Sequence, residues 1–170
     1  MLSNELLTEA FGRIQALVHS AIKDATIEVL TYRPDAEANT IAWLVWHLTR
    51  VQDGHIAELM GEDQVWSAGG WGDRFDLPFD PGATGYGQSA ADVAGVRADA
   101  ELLGRYYDAV HARTIAYVHL LKEVDFATIV DASWKPPVTL AVRLVSILSD
   151  DLQHAGQASY VRGLAKRAGL

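Results

Sequence analysis

The sequence predicts an all-α fold, a four-helix bundle, because apolar residues recur at helical spacing in four long segments. Stretches rich in glycine, proline or β-branched residues separate these segments. Hydrophobic residues make up 49% of the 170 residues, which suits one core of ordinary size. No internal repeat or low-complexity stretch divides the chain, so residues 1–170 are predicted to form a single domain.

The first helix is predicted from Ser3 to about Lys23, where Ser3 or Asn4 can cap the amide groups of the first turn. The second helix is predicted to begin after a cap at Asn39 and to end at Gly61. One side of the second helix carries the apolar residues expected to be buried, together with a histidine: Ile41, Leu44, Leu48, Val51, His55 and Leu59.

A long aromatic and glycine-rich loop is predicted between the second and third helices, over residues 61–88. It holds seven of the 14 glycines of the chain and also five aromatic residues. A loop of this length inside a compact domain more often covers a site than extends freely into water. We therefore expect this loop to lie over a binding or catalytic site.

The third helix is predicted to run without interruption from a cap at Ser89 to about Lys122. Residues 124–140 are rich in β-branched residues and include two consecutive prolines. This composition is typical of a connector with a short extended piece. Thr139 then caps the fourth helix, whose helical spacing continues toward Leu164.

Charge and composition exclude several classes of protein. The chain has 14 Lys and Arg against 22 Asp and Glu, a formal charge of -8 that repels nucleic acid phosphates and anionic lipids. Its apolar runs are too short or too interrupted to cross a bilayer, and its beginning lacks the pattern of a signal peptide. We expect a soluble cytoplasmic protein that binds neither nucleic acid nor membrane.

The absence of cysteine restricts the chemistry that this chain can perform by itself. No disulfide, no thiolate metal site and no catalysis by a protein thiol is available to it. If a thiol takes part in a reaction here, that thiol comes from outside the chain.

A candidate metal site is formed by His47 of the second helix with Asp150 and His154 of the fourth. Residues four apart project from the same face of a helix, so Asp150 and His154 can close on one ion. Two imidazoles and one carboxylate suit a divalent ion such as zinc or nickel and leave an open coordination position. Asp151 also precedes His154 and lies closer to the apolar stripe, so it is an alternate ligand or a residue that supports the ligands.

Each of these residues also has an ordinary structural interpretation. Asp150 and His154 can form a surface ion pair worth a few tenths of a kcal/mol, and His47 can be a core histidine. His55 can support a ligand, contact a substrate or pack in the core, and packing is preferred. Arg50 and Asp53, three residues apart, are predicted to form a solvated ion pair on the opposite face of the second helix.

The chain resembles the DinB-like helix-bundle family at two segments, NTIAWLVWHLTRVQDGHIAEL and SDDLQHAGQASYVRGL. Relatives in that superfamily include low-molecular-weight thiol transferases and mycothiol-dependent maleylpyruvate isomerases. The resemblance implies that His47, Asp150 and His154 are the metal ligands. Aspartate replaces the glutamate or histidine of the family pattern at position 150, and Gln157 stands where many relatives have a further histidine.

The resemblance also implies a chemistry. A thiol such as mycothiol or bacillithiol would be activated at the metal and transferred to an electrophilic small molecule, with isomerisation as a variant. The substrate is expected under the loop that carries Trp66, Trp71 and Phe75. Metal-dependent hydrolysis and a non-catalytic bundle that binds a metal or ligand are the alternatives. Homodimers are common among such bundles, and tryptophans expected at the surface permit one.

Overall fold

The computed structural model describes residues 2–170 and shows an all-α bundle, as the sequence predicts. This part of the chain has eight α-helices: α1 (Ser3–Ile22), α2 (Ile27–Leu30), α3 (Ile41–Met60), α4 (Val65–Ala68), α5 (Trp71–Phe75), α6 (Ala90–Gly95), α7 (Ala100–Leu120) and α8 (Leu140–Arg167). A 3-10 turn (Glu123–Ala127) and an antiparallel pair of short strands, β1 (Ile129–Asp131) and β2 (Val138–Thr139), connect α7 to α8. No helix among residues 2–170 is long and apolar enough to cross a membrane.

The four long helices α1, α3, α7 and α8 form the bundle. α3 packs against both α7 and α8, and α1 packs against the same two helices from the other side. α3 and α8 run antiparallel: His47 contacts His154, whereas His55, later in α3, contacts Arg143, earlier in α8. This pairing brings the middle of α3 to the middle of α8, where the candidate metal ligands lie.

The second long helix begins one residue later than the sequence predicts. The hydroxyl of Thr40, and not the side chain of Asn39, caps α3 by accepting a hydrogen bond from the amide of Trp43 at 3.0 Å. Both residue types are good caps, so the sequence alone does not separate them. Gly61 ends the helix as predicted, since its φ of 65° is a left-handed conformation that favours glycine.

α3 is buried on nearly all sides, and the prediction of a single apolar stripe was wrong. Every residue from 41 to 50 is buried, whereas Val51, His55 and Leu59 are only partly buried. α3 is buried because α7, α8 and the segment that follows α3 all pack against it. α3 is therefore the central element of the molecule, and polar residues on its supposedly outer face lie in the interior.

The predicted third helix is two helices, α6 and α7. Ser89 caps α6 through a reciprocal pair of hydrogen bonds with Asp92. The chain leaves the helical conformation at Val96, whose buried side chain anchors the break, and Asp99 then caps α7 by accepting from the amide of Leu102 at 2.7 Å. Hydrophobic spacing continues through the break, which is why periodicity alone did not locate it.

Residues 61–88, predicted to be a loop, contain regular secondary structure. They contain α4 and α5, and Trp66, Trp71 and Phe75 are buried with ring centroids 5.2, 5.3 and 5.8 Å from that of Tyr106 in α7. Aromatic pairs at these distances add to the stability gained from their buried area. The expectation of exposed tryptophans holds only for Trp134, at 65% exposure, because the other four are core residues.

Candidate metal centre

His47 projects from the buried centre of α3 with its ring orientation fixed on two sides. Its ring stacks on that of Trp43, with centroids 4.6 Å apart and planes 14° from parallel. Its Nδ1 lies 2.5 Å from the backbone carbonyl oxygen of Thr84. A carbonyl oxygen only accepts hydrogen bonds, so Nδ1 carries the proton and Nε2 keeps a free lone pair. His47 thus offers Nε2 as a donor atom for a metal.

His154 is oriented by residues of its own helix. Its Nδ1 donates to the side-chain oxygen of Gln157 at 2.9 Å, and its Nε2 lies 3.5 Å from Oδ1 of Asp150. Hydrogen bonding at Nδ1 is the usual way in which proteins fix the tautomer of a histidine that binds metal through Nε2. Gln157 is therefore the hydrogen-bond acceptor that orients the ring of His154, as the carbonyl of Thr84 orients the ring of His47.

The structure brings His47, Asp150 and His154 together, with one potential ligand atom from each lying within 4.8 Å of the others. An ion with bonds of about 2.0–2.1 Å holds its ligand atoms roughly 3.4 Å apart, so small side-chain rotations suffice to close the set. Oδ2 of Asp150 is buried and has no hydrogen-bond partner among residues 2–170. A buried carboxylate oxygen without a partner is costly unless a cation satisfies it, and these residues fit a divalent metal.

The surroundings of the two histidines shift their pKa values in opposite directions. Burial lowers the pKa of His47, and the nearby His154 lowers it further, while the hydrogen bond to Thr84 opposes the shift. The carboxylate of Asp150 raises the pKa of His154 by stabilising the protonated ring. The lowered pKa of His47 favours its neutral, coordinating form, whereas the raised pKa of His154 makes a metal compete with a proton for that ring.

Asp151, the next residue along α8, lies in the core. Its side chain is fully buried, and neither carboxylate oxygen has a hydrogen-bond partner within residues 2–170. Burial raises the pKa of Asp151 well above its usual value, and the charge of Asp150 adds to this effect. Of the two aspartates left open by the sequence, Asp150 is the one placed beside the histidines.

Comparison with known proteins identifies the family. The profile of the DinB superfamily matches residues 10–158, most of the chain. The chain belongs to the DinB superfamily. It is also similar to a solved structure titled "Crystal structure of the conserved protein of locus from Enterococcus faecalis", with 30% identity, a TM-score of 0.89, and coverage of 95% of this chain and 96% of that one. No curated protein matches the chain. DinB membership and the three clustered side chains together fit a metalloprotein.

The end of the long connecting segment, residues 83–88, covers His47 in this DinB domain. The side-chain oxygen of Gln88 accepts a hydrogen bond from the indole of Trp43 at 2.7 Å, beside the bond from His47 to Thr84. Gly85 comes so close, with a φ of +99°, that a Cβ there would overlap Nδ1 of His47. The residues of this stretch that contact His47 and Trp43 are thus small or polar, and the large side chain of Tyr86 is 95% exposed.

The aromatic residues expected to hold a substrate lie elsewhere. Trp66, Trp71 and Phe75 are 5–6% exposed and pack around Tyr106, so they do not line a pocket at the metal site. The expectation that a substrate lies under this segment stays a prediction: the large side chains pack in the core between α3 and α7, and Trp66 also lines a cleft with Arg50 that does not include His47, Asp150 or His154. Trp43 is the aromatic residue that contacts both histidines.

Arg50 is a buried cation, which corrects the prediction of a solvated ion pair with Asp53. Its side chain is 1% exposed, and its guanidinium carbon lies 4.5 Å from the ring centroid of Trp66. Its nitrogens donate to the side-chain oxygen of Gln64 at 2.6 Å and to the backbone carbonyl of Ala83 at 3.2 Å. Arg50 therefore joins α3 to both halves of the connecting segment.

Asp53 is equally buried, at 1% exposure, with its Oδ2 lying 3.9 Å from Arg50. Its two oxygens accept hydrogen bonds from the amides of Val65 and Trp66, each at 2.8 Å, and Oδ2 also accepts from the hydroxyl of Tyr106 at 2.9 Å. Sequence reasoning missed this function because three-residue spacing of opposite charges is common on exposed helices. No sequence signal shows that a later segment buries them.

His55 stands outside the metal centre. Its side chain is 33% exposed, and Nδ1 accepts a hydrogen bond from Arg143 of α8 at 3.0 Å. Burial and the charge of Arg143 lower the pKa of His55. The preferred prediction, a packing residue of the core, was wrong, since His55 lies at the edge of the interface between α3 and α8 and makes a polar contact.

Proposed function

We propose that this DinB-family protein is a divalent-metal-dependent thiol S-transferase, with zinc or nickel held by His47, Asp150 and His154. One observation carries the proposal. The two imidazoles have Nδ1 occupied by hydrogen bonds, and the carboxylate has a buried oxygen without a hydrogen-bond partner in residues 2–170. Three protein ligands of this kind leave a coordination position for a reactant, as in catalytic rather than structural zinc sites.

The ion would lower the pKa of a thiol or water bound beside it, so that the nucleophilic anion forms near neutral pH. The chain has no cysteine, so the thiol is exogenous, of the mycothiol or bacillithiol type. The thiol proton leaves to solvent, and the sulfur electron pair forms a bond to an electrophilic carbon of a small molecule; the carbon's bond to its leaving group breaks, and that group departs with the electron pair and takes a proton from solvent. Asp150 balances the positive charge, Thr84 and Gln157 hold the imidazoles in place, and Trp43 limits water on the side of α3.

A second candidate is a metal-binding bundle without catalytic activity. The clefts of about 670, 800 and 590 Å³ in the structure are lined by other residues, and none of them includes His47, Asp150 or His154. An enzyme of this size usually binds its substrate in a cavity of several hundred Å³ next to its reactive groups. The position of these clefts favours the non-catalytic candidate. Metal-dependent hydrolysis, the third alternative, lacks an identified general base.

Elemental mass spectrometry of untagged protein tests the proposal first. Wild type should contain about one zinc or nickel per chain, His154→Ala should lose it, and His55→Ala should retain it, since His55 is outside the cluster. Thiol consumption by the loaded protein should then be measured with a panel of electrophiles, with ester and amide hydrolysis measured in parallel. Metal without turnover would favour the non-catalytic bundle, and no metal after reconstitution would overturn both candidates.

Homodimer formation and a cytoplasmic location belong to the same proposal. Along α8, Val145 and Leu152 are exposed apolar residues, at 60% and 46% exposure, which is consistent with a contact between two chains. Light scattering at the elution peak of a sizing column measures the mass directly. A mass close to 18.5 kDa would show a monomer and refute the dimer.

A further inference from the structure

We propose that Arg50 is a positioning residue for the metal centre. It acts through the backbone of residues 82–84, which both Arg50 and His47 contact. The inference rests on the proposed metal site and names a residue outside it. Arg50 holds residues 82 and 83, and the next carbonyl along the chain, that of Thr84, accepts the proton of His47 Nδ1. The guanidinium thereby selects the tautomer that leaves Nε2 free for the ion.

The contacts of Arg50 reach both ends of the segment that must be held. Its Nε donates to the carbonyl of Ala83 at 3.2 Å, one Nη lies 3.5 Å from the carbonyl of Gly82, and the other Nη donates to Gln64 at 2.6 Å. Consecutive Cα atoms lie about 3.8 Å apart across a rigid peptide, so a displacement of Ala83 moves Thr84 directly. Arg50 and His47 are three residues apart on one buried helix, which fixes the spacing between anchor and ligand.

Asp53 and Trp66 in turn hold the guanidinium. The carboxylate of Asp53 lies 3.9 Å from it, and the indole of Trp66 lies under its plane at 4.5 Å. Asp53 also accepts from the amides of Val65 and Trp66, so the start of the segment is fixed by the same residue. A planar, forked cation held on several sides keeps two carbonyl groups in a fixed arrangement, whereas the donors of a lysine ammonium rotate on a flexible chain and impose no such geometry.

The substitution Arg50→Lys tests this function because it keeps the positive charge and removes the planar guanidinium group with its fixed set of donors. In metal-free protein, nitrogen NMR of the histidine rings should show His47 with the proton on Nδ1 in wild type and a mixture of tautomers in the variant. Zinc affinity should fall about 10- to 100-fold, the usual effect of removing a group that orients a ligand. Thermal unfolding of the metal-free proteins should be recorded alongside.

Arg113→Lys is the matched control. Arg113 also bonds the connecting segment, through the carbonyl of Asp63 and the carboxylate of Glu62, but it does not contact residues 82–84. It should lower the unfolding temperature without changing the tautomer of His47 or the zinc affinity. If Arg50→Lys behaves like Arg113→Lys, Arg50 serves only the stability of the segment and the inference is overturned.

Gln64→Met provides a second variant in case Arg50→Lys does not fold. It removes the acceptor that holds one Nη of Arg50, so the guanidinium is less firmly directed at the carbonyls of Gly82 and Ala83, and a partial shift in tautomer with a smaller loss of zinc affinity is expected. An unchanged tautomer would overturn the inference. If wild-type protein binds no metal, the proposed function fails, but the NMR measurement on metal-free protein still decides whether Arg50 orients His47.

Discussion

Replacing Gly85 with alanine should impair the metal site far more than the size of a methyl group indicates. The added Cβ would overlap Nδ1 of His47 and would lie 3.0 Å from Cγ of His47 and 3.1 Å from Cζ2 of Trp43. The backbone φ of +99° is also unfavourable for any residue with a side chain. Strain at such a φ costs about 1–3 kcal/mol, and forcing an extra carbon into packed surroundings costs about 1–3 kcal/mol more.

The protein can relieve the overlap by moving the segment away from α3, which breaks the bond between His47 and Thr84. Losing that hydrogen bond costs about 0.5–1.5 kcal/mol, less than the full overlap. We therefore expect the free energy of unfolding to fall by about 2–4 kcal/mol, and zinc affinity to fall at least about tenfold as His47 loses its orienting partner. Urea denaturation and calorimetric titration with zinc measure the two quantities.

Gly87→Ala separates conformational strain from steric overlap. Gly87 lies in the same segment with a φ of +70°, but a Cβ there would have no atom within 4 Å. This variant should lose about 1–2 kcal/mol of stability from backbone strain and keep the zinc affinity of wild type. Equal zinc affinities for the Gly85 and Gly87 variants would refute the claim that the close approach to His47 matters for the centre.

Two further substitutions test the charged groups. Asp53→Asn should lower the free energy of unfolding by about 3–5 kcal/mol in urea denaturation, because it leaves the cation of Arg50 buried without its counter-charge; a loss below about 1 kcal/mol would show that the pair is not important for stability. The raised pKa of His154 stabilises the fold of the metal-free protein below the ordinary pKa of histidine, and this contribution is lost as pH rises through the higher folded value. Zinc needs the deprotonated ring, so between about pH 5 and 8 the unfolding temperature should rise more steeply with pH in excess zinc than without zinc, where only the protein's own groups contribute, among them His47 and His55 with their lowered pKa values. Asp150→Asn should bring the pKa of His154 back toward its ordinary value in an NMR titration.

The sequence was sufficient to predict the bundle and to choose the residues of the candidate site. Four-residue spacing placed Asp150 and His154 on one face of a helix, and the resemblance to the DinB-like family pointed to His47 on another helix. The structure brings these three side chains together. Whether they bind metal stays a prediction. Local patterns carried this information because each ligand lies in a long regular helix.

The surroundings of the site could not be predicted, because they depend on contacts between distant parts of the chain. Arg50 and Asp53 have the spacing of an exposed ion pair and are buried only because residues 61–88 fold over α3. The partner of His47 is a backbone carbonyl, and any residue type could supply it. The start of α7 was in principle recognisable, since Asp99 is a good cap, but uninterrupted apolar spacing favoured one long helix.

The stacking of Trp43 on His47 gives the protein an optical reporter of the candidate metal site. The indole lies against the imidazole of His47 at 4.6 Å and meets the edge of His154 at 6.2 Å. Its π electrons respond to charge brought near the ring, so binding of a divalent cation or protonation of an adjacent histidine alters the environment that governs its emission. The difference in fluorescence between wild type and Trp43→Phe would therefore follow the occupancy of the site in real time, without any added dye.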